Sequence, residues 1–181
     1  MRLLYIHAYP LDSKMANCVQ VISMCKEFSK HNDVFLLSPS STKNKEEMAS
    51  FLSKNYDLSN SVNLIFFNEL FNNRRISQFI NYFSVKSFIN KIKPDFCFVR
   101  NSMFLKGCIN SKTPTFFEVH NNILHPRFKF INVYLRMLLI ASSKSKYLIK
   151  FITISSSLKD YWVNAGVAKS KILVLHSGFS S

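Results

Sequence analysis

The strongest constraint on this chain is a rhythm: short, almost unbroken apolar runs recur along it, and stretches with helical spacing lie between them. Leu3–Ile6, Val34–Leu37, Val62–Phe67, Phe96–Val99, Thr115–Val119, Phe151–Ile154 and Ile172–Leu175 are the runs. A strand with one wet face alternates apolar and polar residues, whereas a strand without alternation is buried on both faces, as in a parallel sheet covered by helices. From about Met15 to Lys30, residues Cys18, Val21, Ile22, Cys25 and Phe28 repeat at three and four and form one helical stripe. From about Ile76 to Ile92, Phe79, Ile80, Phe83, Phe88 and Ile89 do the same. Shorter helices are expected at Glu46–Leu52, Met103–Ile109 and Ser155–Ala165, and a long basic one from about Arg127 to Lys150. About seven strands alternating with helices predict an α/β fold, a Rossmann-like, doubly wound, mainly parallel sheet with helices on both faces.

Length and composition fit one such domain over residues 1–181, since 48% apolar residues supply a core and exclude a disordered or collagen-like chain. Three glycines leave no GxGxxG and no GxxxxGK[ST], which argues against a dinucleotide enzyme or a P-loop nucleotidase. Cys18, Cys25, Cys97 and Cys108 show no CxxC spacing and read as reduced core thiols. The apolar run at the N-terminus is too short for a secretory signal, and no segment has about 18 uninterrupted apolar residues. The expected location is the cytoplasm or the inner face of the plasma membrane.

Charge stands out: 24 Lys+Arg against 10 Asp+Glu give +14, which predicts attraction to polyanions. AT-rich codons alone could supply many lysines, but they do not explain the shortage of acids. On a helix extended to Lys150, residues Lys129, Asn132, Arg136, Ser143 and Lys150 share a polar arc, opposite Phe130, Tyr134, Met137, Leu138 and Leu148. This reads either as an ordinary solvated face with the aromatics buried or as a surface for anionic lipid, carried by Lys129, Arg136, Lys144, Lys146 and Lys150. Nucleic acid could use the same charge, but no recognised binding module is present.

In a doubly wound sheet, ligands bind beyond the carboxyl ends of the strands. There the best polar cluster is Glu118-Val119-His120, whose alternation puts Glu118 and His120 on one face. Glu118 could simply orient a strand-end histidine, or the pair could touch a ligand. A zinc site from Glu118, His120 and His125 fits no common ligand spacing. A thiol dyad of Cys97 or Cys108 with His120 lacks an electropositive, exposed setting.

Three segments together resemble the N-terminal half of family 4 glycosyltransferases of the GT-B fold: the loop and helix Ser13–Phe28, the strand Phe116–Asn121, and Ile152–Asp160 with Ala165-Gly166-Val167 and Lys171–Gly178. The resemblance implies an acceptor-binding domain facing a C-terminal domain that holds the nucleotide-sugar donor, with retaining transfer and no metal. It implies that His120 reaches the donor sugar near the reaction centre. It also implies that the Ser13–Asn17 loop, with Ser13 and Asn17, lies on the acceptor side and that Ser155 faces the cleft; the strand-end residues Arg100, Asn101, Glu118 and Asn121 are expected to join them in binding acceptor. Two departures stand out: Met15-Ala16 occupies the place of a frequent glycine pair, and the closing pattern is His176-Ser177-Gly178-Phe179-Ser180, with only the glycine kept. The chain stops at Ser181, where the linker to the donor domain is expected.

The expected function is therefore the acceptor-binding part of a glycosyltransferase of surface polysaccharide or glycolipid synthesis, inactive by itself. Its partners would be a donor domain in cis or in trans, a nucleotide sugar as co-substrate, a glycan or lipid-linked acceptor, and an anionic membrane surface. The alternatives are a non-catalytic subunit of a split glycosyltransferase that anchors at the membrane and presents acceptor, and a basic nucleic-acid-binding α/β protein.

Overall fold

A computed structural model of the chain describes residues 1–11, 16–39, 44–58, 61–67, 84–120 and 129–176. Their strands form a seven-stranded sheet in the order β3-β2-β1-β4-β5-β6-β7. The strands are β1 (Arg2–Ile6), β2 (Asp33–Pro39), β3 (Val62–Phe67), β4 (Phe96–Val99), β5 (Thr115–Val119), β6 (Leu148–Thr153) and β7 (Ile172–Val174). The helices are α1 (Ala16–Ser29), α2 (Lys45–Tyr56), α3 (helical over 84–92), α4 (Ser102–Asn110), α5 (Lys129–Ser143) and α6 (Ser156–Asn164). This is the Rossmann-like α/β architecture that the rhythm predicts. By internal contacts the chain divides into two compact units, Met1–Cys97 and Phe98–Ser181.

In the first unit, β1 pairs in parallel with β2, Leu3 opposite Val34 and Ile6 opposite Leu37, and β2 pairs in parallel with β3. Leu3, Leu4, Tyr5 and Ile6 are all buried, the two-sided burial expected of a strand without alternation. Helix α1 buries the anticipated stripe of Cys18, Val21, Ile22 and Cys25. Helix α2 is longer than its apolar residues suggest because its ends are well closed. The Asn44 side chain accepts from Glu47 N–H while the Glu47 side chain accepts from Asn44 N–H, and Asp57 (φ 51°) ends the helix in the left-handed region. The expected helix at Ile76–Ile92 is present over 84–92, and its earlier part lies outside the described residues.

In the second unit, β5 pairs in parallel with β6 and β6 with β7. The core is an aromatic stack: Phe117 lies 5.3 Å from Phe151, and Phe151 lies 5.2 Å from Trp162, ring centre to ring centre. Gly166 follows α6 at φ 107°, a backbone state costly for any residue with a Cβ, and its N–H closes onto Val163 O.

Two expectations about the basic segment need correction. The helix does not continue to Lys150: α5 stops at Ser143, Lys144 and Lys146 lie in the following turn, and Lys150 is in β6, donating from Nζ to Ser170 O. The strand begins early because Leu148, Phe151 and Ile152 fill the core from an extended backbone. Nor are the aromatics of α5 buried. The helix seats Leu139, Ser142 and Ser143 inward, packed against α4 and β6, and turns Phe130, Val133, Tyr134 and Met137 out to solvent. With Leu139 and the two serines inward, the contacts with α4 and β6 rather than the largest apolar side chains set the rotation of the helix.

Candidate functional site

The second unit gathers most of the anticipated polar residues at the carboxyl ends of β4, β5 and β6. Arg100 follows β4 directly, Glu118 is the penultimate residue of β5, His120 follows that strand, and Ser155 lies two residues past β6. Glu118 and His120 project to the same side, as alternation requires, and Glu118 Oε1 lies 2.6 Å from His120 Nε2. Glu118 Oε2 lies 3.7 Å from Arg100 Nε. The guanidinium also meets the imidazole: Arg100 Nη2 abuts Nε2 and lies 3.4 Å from Nδ1. Glu118 and Arg100 thus meet the ring at the same nitrogen, Nε2, the carboxylate as acceptor and the guanidinium as donor, so the protonation of that nitrogen decides which of the two it serves.

Exposure divides this cluster into a base and a tip. The Arg100 and Glu118 side chains are 9% and 5% exposed, whereas that of His120 is 32% exposed. Burying Glu118 among apolar strand residues is costly without partners, and Arg100 and His120 provide them. The result is a solvent-facing imidazole in a fixed orientation, held from below by an ion pair. With both neighbours at Nε2, Nδ1 is the ring nitrogen left to hydrogen-bond a ligand hydroxyl, with little loss of conformational entropy.

Asn101 precedes α4 and its carbonyl accepts from Leu105 N–H, so it stands at the start of that helix, half buried. The Ser155 hydroxyl accepts from Leu158 N–H at 3.2 Å, the N-cap of α6, which fixes the exit of β6. Asn17 belongs to the first unit, in the opening turn of α1. Ser13, Asn121 and His125 lie outside the described residues, as does the side chain of Lys129. Among the described residues, no three His, Cys, Asp or Glu side chains gather as metal ligands, and no helix is long and apolar enough to cross a membrane.

All four cysteines are buried, none in a disulfide among the described residues, and burial pushes the Cys25 thiol well above the ordinary range. One pairing escaped the sequence reading: at the end of β1, buried His7 places Nε2 3.5 Å from Cys18 Sγ. The positions are eleven apart in sequence on different elements, so no local spacing announces the pair.

No family profile and no curated protein sequence matches the chain. Solved structures do. The chain aligns over 99% of its length, at 11% identity and a TM-score of 0.68, with 45% of Anabaena HepE, solved with UDP and glucose. It aligns with 46% of WaaB, a lipopolysaccharide outer core galactosyltransferase, at 12% identity and a TM-score of 0.59. A glycosyltransferase from Rickettsia africae matches at 14% identity and a TM-score of 0.61, over 98% of this chain and 43% of its own. The chain thus spans less than half the length of each, and its fold is the Rossmann-like fold of one half of the GT-B glycosyltransferases.

Proposed function

We propose that this chain is the acceptor-side half of a glycosyltransferase that moves a sugar from a nucleotide-sugar donor to a glycan or lipid-linked acceptor in surface polysaccharide or glycolipid synthesis. The observation that carries the reading is the Arg100–Glu118–His120 cluster at the carboxyl ends of β4 and β5, in a fold shared with known glycosyltransferases. In this reading the acceptor hydroxyl attacks the anomeric carbon and gives its proton to the departing nucleotide diphosphate, which leaves with the bonding electrons, and configuration is retained without a metal. His120 holds a hydroxyl of the donor sugar, and Arg100 and Glu118 fix its ring. Ser13, Asn17, Asn101, Asn121 and Ser155 border the acceptor. The donor-binding half is supplied in cis or in trans. Where it is supplied in trans, the chain acts as a non-catalytic subunit that presents acceptor.

The test is transfer of labelled sugar from a panel of nucleotide sugars to lipid and glycan fractions, catalysed by the native assembly that contains this chain. Transfer that falls severalfold or more in His120→Ala supports the reading. Absence of transfer with every donor, or an unchanged rate in the variant, would overturn it.

A further inference from the structure

The outward face of α5 is apolar where a solvated helix should be polar. Phe130, Val133, Tyr134 and Met137 follow one another at i, i+3, i+4 and i+7, and all four are exposed, Phe130 at 93%. At about 100° per residue they occupy an arc of about 100°, a continuous stripe along the helix rather than scattered side chains. Exposed Ala141 extends it, and exposed Lys144 continues the same arc just beyond the helix end. Exposed Arg136 borders one edge, its guanidinium carbon 5.6 Å from the Tyr161 ring centre. Lys146 adds a further exposed cation in the following turn.

We propose that this stripe docks the protein on an anionic lipid surface, with α5 lying in the plane of the membrane and its aromatic and Met side chains in the headgroup boundary. Charge complementarity selects the occupant. The second unit carries twelve Lys/Arg against only Glu118 and Asp160, and no acid lies between Val119 and Lys159. A second copy of so basic a surface is repelled, and four side chains of one helix fall short of the roughly 800 Å² per partner that a stable protein interface buries. A nucleic acid would use the cations but leave the apolar stripe in water. An anionic bilayer satisfies both, through apolar insertion and a contribution from each nearby Lys or Arg. The surface differs from the one the sequence suggests: the apolar face goes down with cations at its margin, and Lys150, tied to Ser170 O, takes no part.

The experiment is sedimentation of the full chain with vesicles of phosphatidylcholine alone and of phosphatidylcholine mixed with phosphatidylglycerol. Binding is expected to the mixed vesicles only. Phe130→Ser with Met137→Ser should weaken it about tenfold or more, and Arg136→Ala with Lys144→Ala about tenfold at low salt. These residues are solvent-exposed, so the variants keep the fold, checked by the emission of the single tryptophan, buried Trp162. Tyr134→Trp supplies a direct reporter whose emission moves to the blue on the mixed vesicles. The proposal is overturned by equal indifference to both vesicles, or by binding that the charge pair abolishes and the apolar pair leaves unchanged. It is likewise overturned if the wild type is a stable dimer that Phe130→Ser with Met137→Ser makes monomeric.

Discussion

Glu118 Oε1 sits 2.6 Å from His120 Nε2, two residues along the same strand end, so a buried carboxylate sets the direction of a partly exposed imidazole. The same carboxylate meets Arg100 from the neighbouring strand β4. One acid therefore holds two bases, and the consequences of removing each member differ.

Glu118→Ala strands the nearly buried Arg100 guanidinium and should cost about 3 kcal/mol or more of unfolding free energy. Arg100→Met combined with Glu118→Leu removes both charges and should cost less than that single change. Urea midpoints of the three proteins measure the difference, and a double variant weaker than Glu118→Ala would contradict the ion-pair account.

His120→Ala takes away the exposed tip and leaves the Arg100–Glu118 pair intact. It also takes from buried Glu118 its 2.6 Å partner, so stability should fall by about 1–3 kcal/mol, while transfer by the assembled enzyme falls severalfold or more. Transfer left unchanged while thermal unfolding shows the loss of stability would make His120 a structural residue.

Trp162 is fully buried against Phe151, and its Nε1–H meets no hydrogen-bond partner among the described residues. Trp162→Phe removes an unsatisfied donor along with some volume, and these effects oppose each other, so the expected cost is about 1 kcal/mol or less. Trp162→Ala loses the whole packing and should cost about 3–5 kcal/mol. Equal costs in calorimetry would argue against packing volume and for a role of the indole Nε1–H, which both variants lose.

The Cys25 thiol, raised by burial, stays protonated in the folded protein while the unfolded chain ionises above about pH 8.5. The folded state then binds the extra proton, so stability falls as pH rises past that value, by about 1.4 kcal/mol per pH unit for this thiol. Denaturant titrations across the alkaline range read the slope. Ellman's reagent should find no fast-reacting thiol until the protein unfolds, and a fast-reacting native Cys25 would refute the burial argument.

Asn44 and Glu47 close the first turn of α2 on each other, in a helix whose exposed residues have little else to hold them. Asn44→Ala should cost about 1 kcal/mol, and Asn44→Ser should restore most of it. Hydrogen exchange over Lys45–Tyr56 measures the local opening; protection unchanged in the alanine variant would remove the cap from the account.

By itself the sequence determined the order and kind of the elements. A run such as Leu3–Ile6 or Phe96–Val99 can bury every residue only between two covering layers, and the stripe Cys18, Val21, Ile22, Cys25 has only one periodicity. The shared face of Glu118 and His120 followed from the strand period of two. What only the tertiary structure decided were relationships between elements. No spacing ties Arg100 to Glu118 or His7 to Cys18, because those pairs are made by strands and helices that meet in space. The rotation of α5 was equally hidden: its polar arc and apolar arc were both readable, but which face turns inward is a matter of contacts with α4 and β6, elements distant in sequence, against which the helix seats Leu139, Ser142 and Ser143 while the aromatic stripe faces outward.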